Sequence, residues 1–413
     1  MSDIKKIEQE DSASTFVDAI PDYKLADLIF VLKTTARDSQ AFQSASSALF
    51  TAIKEQKLAP LYYFIHNSSE TANLLPWDES LYNDIFLQNE KHLIELKDAI
   101  KKAEEEEEEL SISESWNKLG NYYAKIGNKD KAISTLRHAQ DLSSGTGNKI
   151  DIMLTIIRIG LFYDDKAFVK KELESVKLLI DRGGDWERRN RFKTYQGLYL
   201  LSIRQFEEAA NLLIDSLSTF TSTEITSYEE IVKYAVLSGA FALDRVNLKR
   251  KVVDSPEVLS LVPTTPSLEP ITVMTNSLYT CEYDSYFKAL ATVEVEVLKT
   301  SRYLASHSLF YIREMRRKAY AQLLESYKTL SIRSMADAFG ISVSFLDNDL
   351  AKFIPSKKLN CVIDRVNGII VTNRPDNKNA QYQEFVKQGD ALLTKLQKYG
   401  AAVRLSGAER LST

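Results

Sequence analysis

The chain is expected to be mostly α-helical: a solenoid of helical hairpins, then a small winged helix, then one terminal helix. Three observations lead there. Apolar residues recur in three- and four-residue steps almost without a break from Leu25 to Leu243. A segment beginning at Trp116, WNKLGNYYAKIGNKDKAISTLRHA, has the spacing of a helical hairpin that repeats further on. The segment Thr329–Arg374 reads as strand, helix, turn, helix and β-hairpin.

Taken in order, residues 1–22 form a polar tail, MSDIKKIEQEDSAST and the few residues after it, with no apolar signal core. No apolar run approaches membrane-spanning length, so a soluble intracellular protein is expected. Residues 23–115 make an N-terminal helical region. Leu25, Leu28, Ile29 and Leu32 mark one amphipathic face, and Phe42, Leu49, Phe50 and Ile53 the next. Leu58–His66 suits a short third helix, Asn67–Trp77 a loop, and Leu81–Leu110 one long helix. That helix ends in the unbroken run Glu104–Glu109, read as a solvated surface or, alternatively, as an acidic contact for a basic partner.

Residues 116–253 carry the repeats. Trp116, Leu119, Gly120, Tyr123, Ala132 and Ala139 stand at tetratricopeptide spacing. Trp116, Leu119 and Tyr123 share one face of the first helix, while Gly120 and Ala132 let the second helix come close. The pattern returns with Ile156, Ile159, Gly160 and Tyr163, and more weakly with Gly197, Phe206 and Ala209. Each hairpin leaves an apolar face that only its neighbour covers, so the hairpins stack. The stretch GGDWERRNRFK sets Arg188, Arg189, Arg191 and Lys193 beside Trp186. It is either a basic binding patch or a helix start that satisfies nearby acids, the second being favoured. Tyr228–Leu243 completes the array.

Residues 254–328 begin with four of the nine prolines, Pro256, Pro263, Pro266 and Pro270. Ser255-Pro256-Glu257 still suits a helix start, so this is an articulated connection and not a flexible linker. Thr275–Leu298 and Ser306–Tyr327 resume helices. Arg313, Arg316 and Arg317 fall on one face of the second, as an exposed basic stripe or an intersubunit salt-bridge face.

In the winged helix, residues 329–374, Leu330 and Ile332 suit a short strand and Gly340 ends a first helix. Ser344, three residues before Asp347, has capping-box spacing for a second helix carrying Phe345, Leu346, Leu350 and Phe353. Leu359–Arg365 and Gly368–Thr372 flank an Asn367-Gly368 hairpin turn. Val362, Ile363, Ile369 and Val371 supply β-branched strand character, and the hairpin's outer strand is a candidate edge for another chain. A DNA-reading wing is the alternative. It would set Asp347 and Asp349 beside Asn348 against the phosphates, which repels them; Lys352, Lys357 and Lys358 offset this only in part. In residues 375–413, after Pro375, a helix from about Ala380 to Tyr399 carries Tyr382, Phe385, Gly389, Leu392, Leu396 and Tyr399 at alternating three- and four-residue steps. That a/d seam is a candidate protein-binding face, the alternative being a helix folded back on its own chain.

The formal net charge of −4 disfavours general nucleic-acid or anionic-membrane binding. Cys281 and Cys361, far apart, suit free thiols in a reducing compartment. His66, His92, His138 and His307 are scattered, with no HExxH or HxH motif. No phosphate-cradling glycine loop or GxSxG elbow occurs. No catalytic, cofactor-binding or metal-binding residue is therefore nominated, no cofactor is expected, and the chain reads as a non-enzyme.

Helical repeats running into a winged helix resemble the PCI-domain family, whose members assemble the proteasome lid, the signalosome and translation initiation factor three. The stretches GGDWERRNRFKTYQG, REMRRKAYAQLLESYKTLS and FLDNDLAKFIPSKKLNCVIDRVNGI, with the tail segment LLTKLQKYGAAVRL, are similar to a non-ATPase subunit of the proteasome lid. The resemblance covers about residues 116–405. It makes residues 254–328 the helical part of the PCI domain and residues 375–413 a bundle helix. It implies a non-catalytic, hetero-oligomeric scaffold in the cytoplasm and nucleus. Its partners would be sibling PCI subunits, the deubiquitinating subunit and the ATPase ring. A signalosome or initiation-factor subunit, or a peptide-binding tetratricopeptide module, would share much of this pattern.

Overall fold

The computed structural model describes residues 19–411, except 69–70, 72–73, 107–108 and 374–376. Most of the polar tail, Glu107 and Glu108 of the acidic run, and Pro375 lie outside the described residues. The chain divides into two compact units, one ending at Arg313 and one beginning at Glu314.

The first unit opens with α1 (Tyr23–Thr34), α2 (Gln40–Gln56) and α3 (Ala59–Asn67). Asp22 and Ser39 cap the first two by accepting from the backbone N–H of Lys24 and Phe42. Leu25, Leu32, Leu49, Ile53, Leu58 and Tyr62 close into one buried cluster. Then α4 (Glu79–Glu105) stops short of the single long helix expected, and α5 (Glu109–Lys125) is separate. Glutamates at a helix C-terminus meet the negative pole of the macrodipole and repel one another one turn apart, so the helix ends inside the run. Glu104, Glu105 and Glu106 are exposed.

From α5 onward the chain folds as hairpins. These are α5 with α6 (Lys129–Leu142), α7 (Thr146–Phe162) with α8 (Lys166–Gly183), and α9 (Trp186–Ser202) with α10 (Phe206–Leu217). The single helix α11 (Tyr228–Ala242) follows. Gly120 and Gly197 hold equivalent places: a Cβ on either would stand 2.6 Å from Cδ2 of Leu136 or Leu213, the leucine on the second helix of its hairpin. Gly120→Ala is expected to cost about 1–3 kcal/mol through overpacking, exceeding the roughly 1 kcal/mol that alanine adds in helix propensity. Urea denaturation of the two chains measures the difference.

Ties between the first two hairpins share one sequence offset. Lys129 Nζ lies 2.8 Å from Asp165 Oδ2, the Tyr163 hydroxyl donates to Gly127 O at 2.7 Å, and Arg137 Nη2 lies 2.8 Å from Glu172 Oε1. Each joins residues 35 or 36 apart, one repeat length, as nearest-neighbour stacking requires. The arginines of GGDWERRNRFK belong to the same lattice. Arg188 pairs with Asp151 at 2.7 Å and with Asp185. Arg191, only 5% exposed, reaches Asp151 at 3.3 Å and the 2%-exposed Glu224 at 3.1 Å, and Tyr195 also donates to Glu224. Arg188 and Arg191 thus satisfy acids, Arg189 donates to the Gly184 and Ile180 carbonyls, and Trp186 is left exposed.

The proline-rich stretch is built of short packed helices. α12 (Arg245–Leu248) runs into a π-helical turn, Lys249–Val253, followed by α13 (Pro256–Leu261) and α14 (Glu269–Thr280). Pro256 and Pro270 sit in the first turns of α13 and α14, where no intrahelical N–H bond is lost. Then come α15 (Tyr283–Val293), prolonged by a second π turn, Glu294–Leu298, and α16 (Ser308–Ser326), within which the two units divide. No helix among the described residues is long and apolar enough to cross a membrane.

The second unit continues with β1 (Thr329–Ser331), α17 (Ile332–Phe339), α18 (Val343–Phe353), β2 (Cys361–Asp364), β3 (Ile369–Thr372) and α19 (Asn377–Leu411). Two local expectations are corrected. Ile332 opens α17 instead of extending the strand. The N-cap of α18 is Ser342, whose hydroxyl accepts from the Phe345 N–H; Ser344 is already helical. Gly340, with φ of 63°, ends α17 so abruptly that Ser342 is the residue left in extended conformation. The core joins Tyr320 to Phe339, ring centroids 4.9 Å apart, with Met335, Leu346, Leu350, Phe353 and Ile370 buried.

Candidate protein-interaction site

The wing is fixed to the part of α16 that lies in its own unit. Arg316 Nη1 is 3.2 Å from Asp349 Oδ2, and the Tyr320 hydroxyl donates to the same oxygen at 3.4 Å. Glu314, 6% exposed, accepts from Arg317 at 2.8 Å and from Lys358. Neither Arg316 nor Arg317 is therefore part of an exposed basic stripe: both turn toward carboxylates of their own chain. Arg313 remains exposed, its guanidinium 5.4 Å from the Phe310 ring. Asp349 likewise does not face outward as a DNA-reading geometry would demand; it is buried against Arg316. Asp347 accepts from Arg365 at 2.9 Å.

Burial by itself raises the Glu314 carboxyl, but the hydrogen bonds from Lys358 and Arg317 outweigh it and hold the group below its ordinary value. A depressed carboxyl contributes stability that is complete above the unfolded value, near about 4.3, and is lost as pH falls through the folded one. Glu314→Gln is expected to cost about 1–3 kcal/mol at neutral pH and little once the wild-type carboxyl is protonated. Urea midpoints of both chains across that range check the convergence.

The three strands form an antiparallel sheet in the order β1-β3-β2. Ile369 and Val371 therefore do not lie at the wing edge as the strand pattern suggested. They lie on the central strand, Ile369 between Ser331 and Asp364, and Val371 between Thr329 and Val362. The reason is that the three-residue β1 takes the side of β3 that a lone hairpin leaves open. The outer strand is β2, where Val362 is 54% exposed and Ile363 half-buried. Asp364 accepts from the backbone N–H of Val366 and Asn367, so the hairpin tip is preformed. Val343 and Phe345 at the start of α18 are exposed apolar positions that strand-based reasoning passed over. Their signal was present, two apolar residues beside the N-cap serine.

The terminal helix extends further than expected, through Leu411. Tyr382, Phe385, Leu392, Leu396 and Tyr399 are all 59–75% exposed, and a Cβ on Gly389 would meet nothing within 4 Å. Val386, Leu393 and Val403 stand exposed one turn after Tyr382, Gly389 and Tyr399. They widen the stripe from a narrow seam to the broader face that a helix in a bundle of several neighbours presents.

A helical-hairpin array leading into a three-stranded wing defines a PCI-type protein, and the PCI domain model matches residues 290–374. Two further models match, described as "26S proteasome subunit RPN7" over residues 78–251 and "26S proteasome regulatory subunit RPN7/PSMD6 C-terminal helix" over residues 381–403. The chain is 51% identical to the 26S proteasome regulatory subunit RPN7 of Saccharomyces cerevisiae, with all of both chains covered. It is 48% identical to rpn7 of Schizosaccharomyces pombe, over 93% of this chain and 96% of that one. With the Arabidopsis thaliana homolog of 26S proteasome non-ATPase regulatory subunit 6 it shares 41% identity, over 93% and 97%. The chain belongs to the RPN7 family of 26S proteasome regulatory subunits.

Proposed function

We propose that the chain is a non-catalytic scaffold of the proteasome regulatory-particle lid, serving ubiquitin-dependent degradation in cytoplasm and nucleus by holding other subunits in place. The observation that carries this reading is the exposed apolar face of α19, Tyr382 to Val403, which an isolated soluble chain has no use for. The outer strand β2, with Val362 and Ile363, adds a second contact by pairing or packing with the wing of a sibling PCI subunit. The deubiquitinating subunit and the ATPase ring are the further neighbours this role entails. Mass spectrometry of a tagged pull-down tests the assembly; recovery of signalosome or initiation-factor subunits instead of lid subunits refutes it. The purified chain alone is expected to leave ubiquitin conjugates and nucleotides intact, and metal-dependent turnover by it would refute the scaffold role.

A further inference from the structure

The α12–π segment packs along α14, and nothing in the scaffold reading uses the seam between them. At one end is an apolar cleft of about 280 Å³, lined by Val252, Val253, Leu259 and Val262 together with Thr272 and Asn276 of α14. Leu259 is 56% exposed at its rim. Residues 272, 276 and 279 follow one face of α14, and Tyr279 marks the other end, about 10 Å along the helix from Thr272. There Arg245 and Lys249, one turn apart, lie 5.2 and 5.3 Å from the Tyr279 ring, and Arg245 Nη2 donates to Tyr279 O.

Arg250 and Lys251 follow directly, so four cations fall within Arg245–Lys251 without a carboxylate, in a chain whose net charge is −4. Among the described residues none of the four takes part in an ion pair; Asp244 and Glu257, close in sequence, accept instead from Asn247 and Ser255. Two like charges held side by side one turn apart disfavour the helix unless an opposite charge joins them. The backbone there is a π-helical turn, a rare form found frequently at functional sites.

We infer that this seam docks a segment of a partner protein carrying an apolar anchor for the Val252–Leu259 cleft and, one to two helical turns along, a carboxylate for Arg245 and Lys249. The inference goes beyond the contacts assigned to the wing and α19. It rests on the chain being a subunit, and the experiment separates the two.

A photo-crosslinking amino acid replaces Leu259 in the full chain, and the assembled complex is recovered through a tag and irradiated. Failure of the unsubstituted tagged chain to recover a complex refutes the subunit reading, whereas loss of the complex only on replacing Leu259 supports docking at this cleft. With the complex recovered, the expected result is a cross-link mapping to one segment of another subunit that pairs an apolar residue with Asp or Glu. Its yield should fall at least tenfold in Arg245→Glu/Lys249→Glu and persist in Arg245→Lys/Lys249→Arg, with circular dichroism confirming that both variants fold. A recovered complex without a cross-link, a cross-link to nucleic acid or to a segment lacking carboxylates, or a yield indifferent to charge reversal overturns the proposal.

Discussion

A chain ending at Asn379 is expected to fold, stay soluble and melt like the full-length protein, yet to be excluded from its complex. The exposed seam of α19 is the reason. Burying Tyr382, Phe385, Leu392, Leu396 and Tyr399 is worth roughly 7–15 kcal/mol gross, at ~1.5–3 each, before ordering and association costs are subtracted. Little of that is spent within the chain, because all five are exposed there. Leu392→Ala with Leu396→Ala should reproduce part of the loss, about 2–5 kcal/mol for each site that the partner fully buries. Quantitative pull-down and thermal melting of the truncated chain decide the matter. A truncated chain that melts much earlier but still joins the complex would make α19 part of the intramolecular core.

Glu224→Gln should be the most damaging single substitution in the repeat array, at about 3–5 kcal/mol. Glu224 and Arg191 are 2% and 5% exposed, and the neutral amide would leave the guanidinium with Asp151 alone, at 3.3 Å. Tyr195 would lose its charged acceptor as well. The triple replacement Arg191→Met, Glu224→Leu and Tyr195→Phe should recover most of the loss, since apolar groups of similar volume carry no desolvation cost. Urea denaturation measures both. A loss under about 1 kcal/mol for Glu224→Gln would mean that water reaches the pair.

The helical repeats were legible because their signals are local. Gly120, Ala132 and Tyr123 stand at fixed offsets, and the Asn367-Gly368 turn announces its hairpin, Gly368 adopting φ of 65°. What escaped was non-local or a contest between near-equal local signals. Ser342 and Ser344 both suit an N-cap, and only the sharp stop at Gly340 decides between them. The pairing of Arg316 with Asp349, 33 residues away, follows from packing that periodicity cannot express. So does the place of β1: three residues, Thr329–Ser331, carry too little pattern to reveal that they claim the free side of β3. Because of that pairing, two residues assigned to the edge lie at the centre of the sheet.

The order β1-β3-β2 also sets a timetable for synthesis. The first and second strands have no register with one another; each pairs only with the third, which the ribosome makes last. As the chain emerges N-terminus first, the repeat array can fold as it appears. The wing must wait for Thr372. Only four residues separate that strand from the start of α19, so this helix leaves the ribosome just after the strand that lets the sheet close. A nascent chain therefore completes its own fold before it displays the surface by which others would hold it.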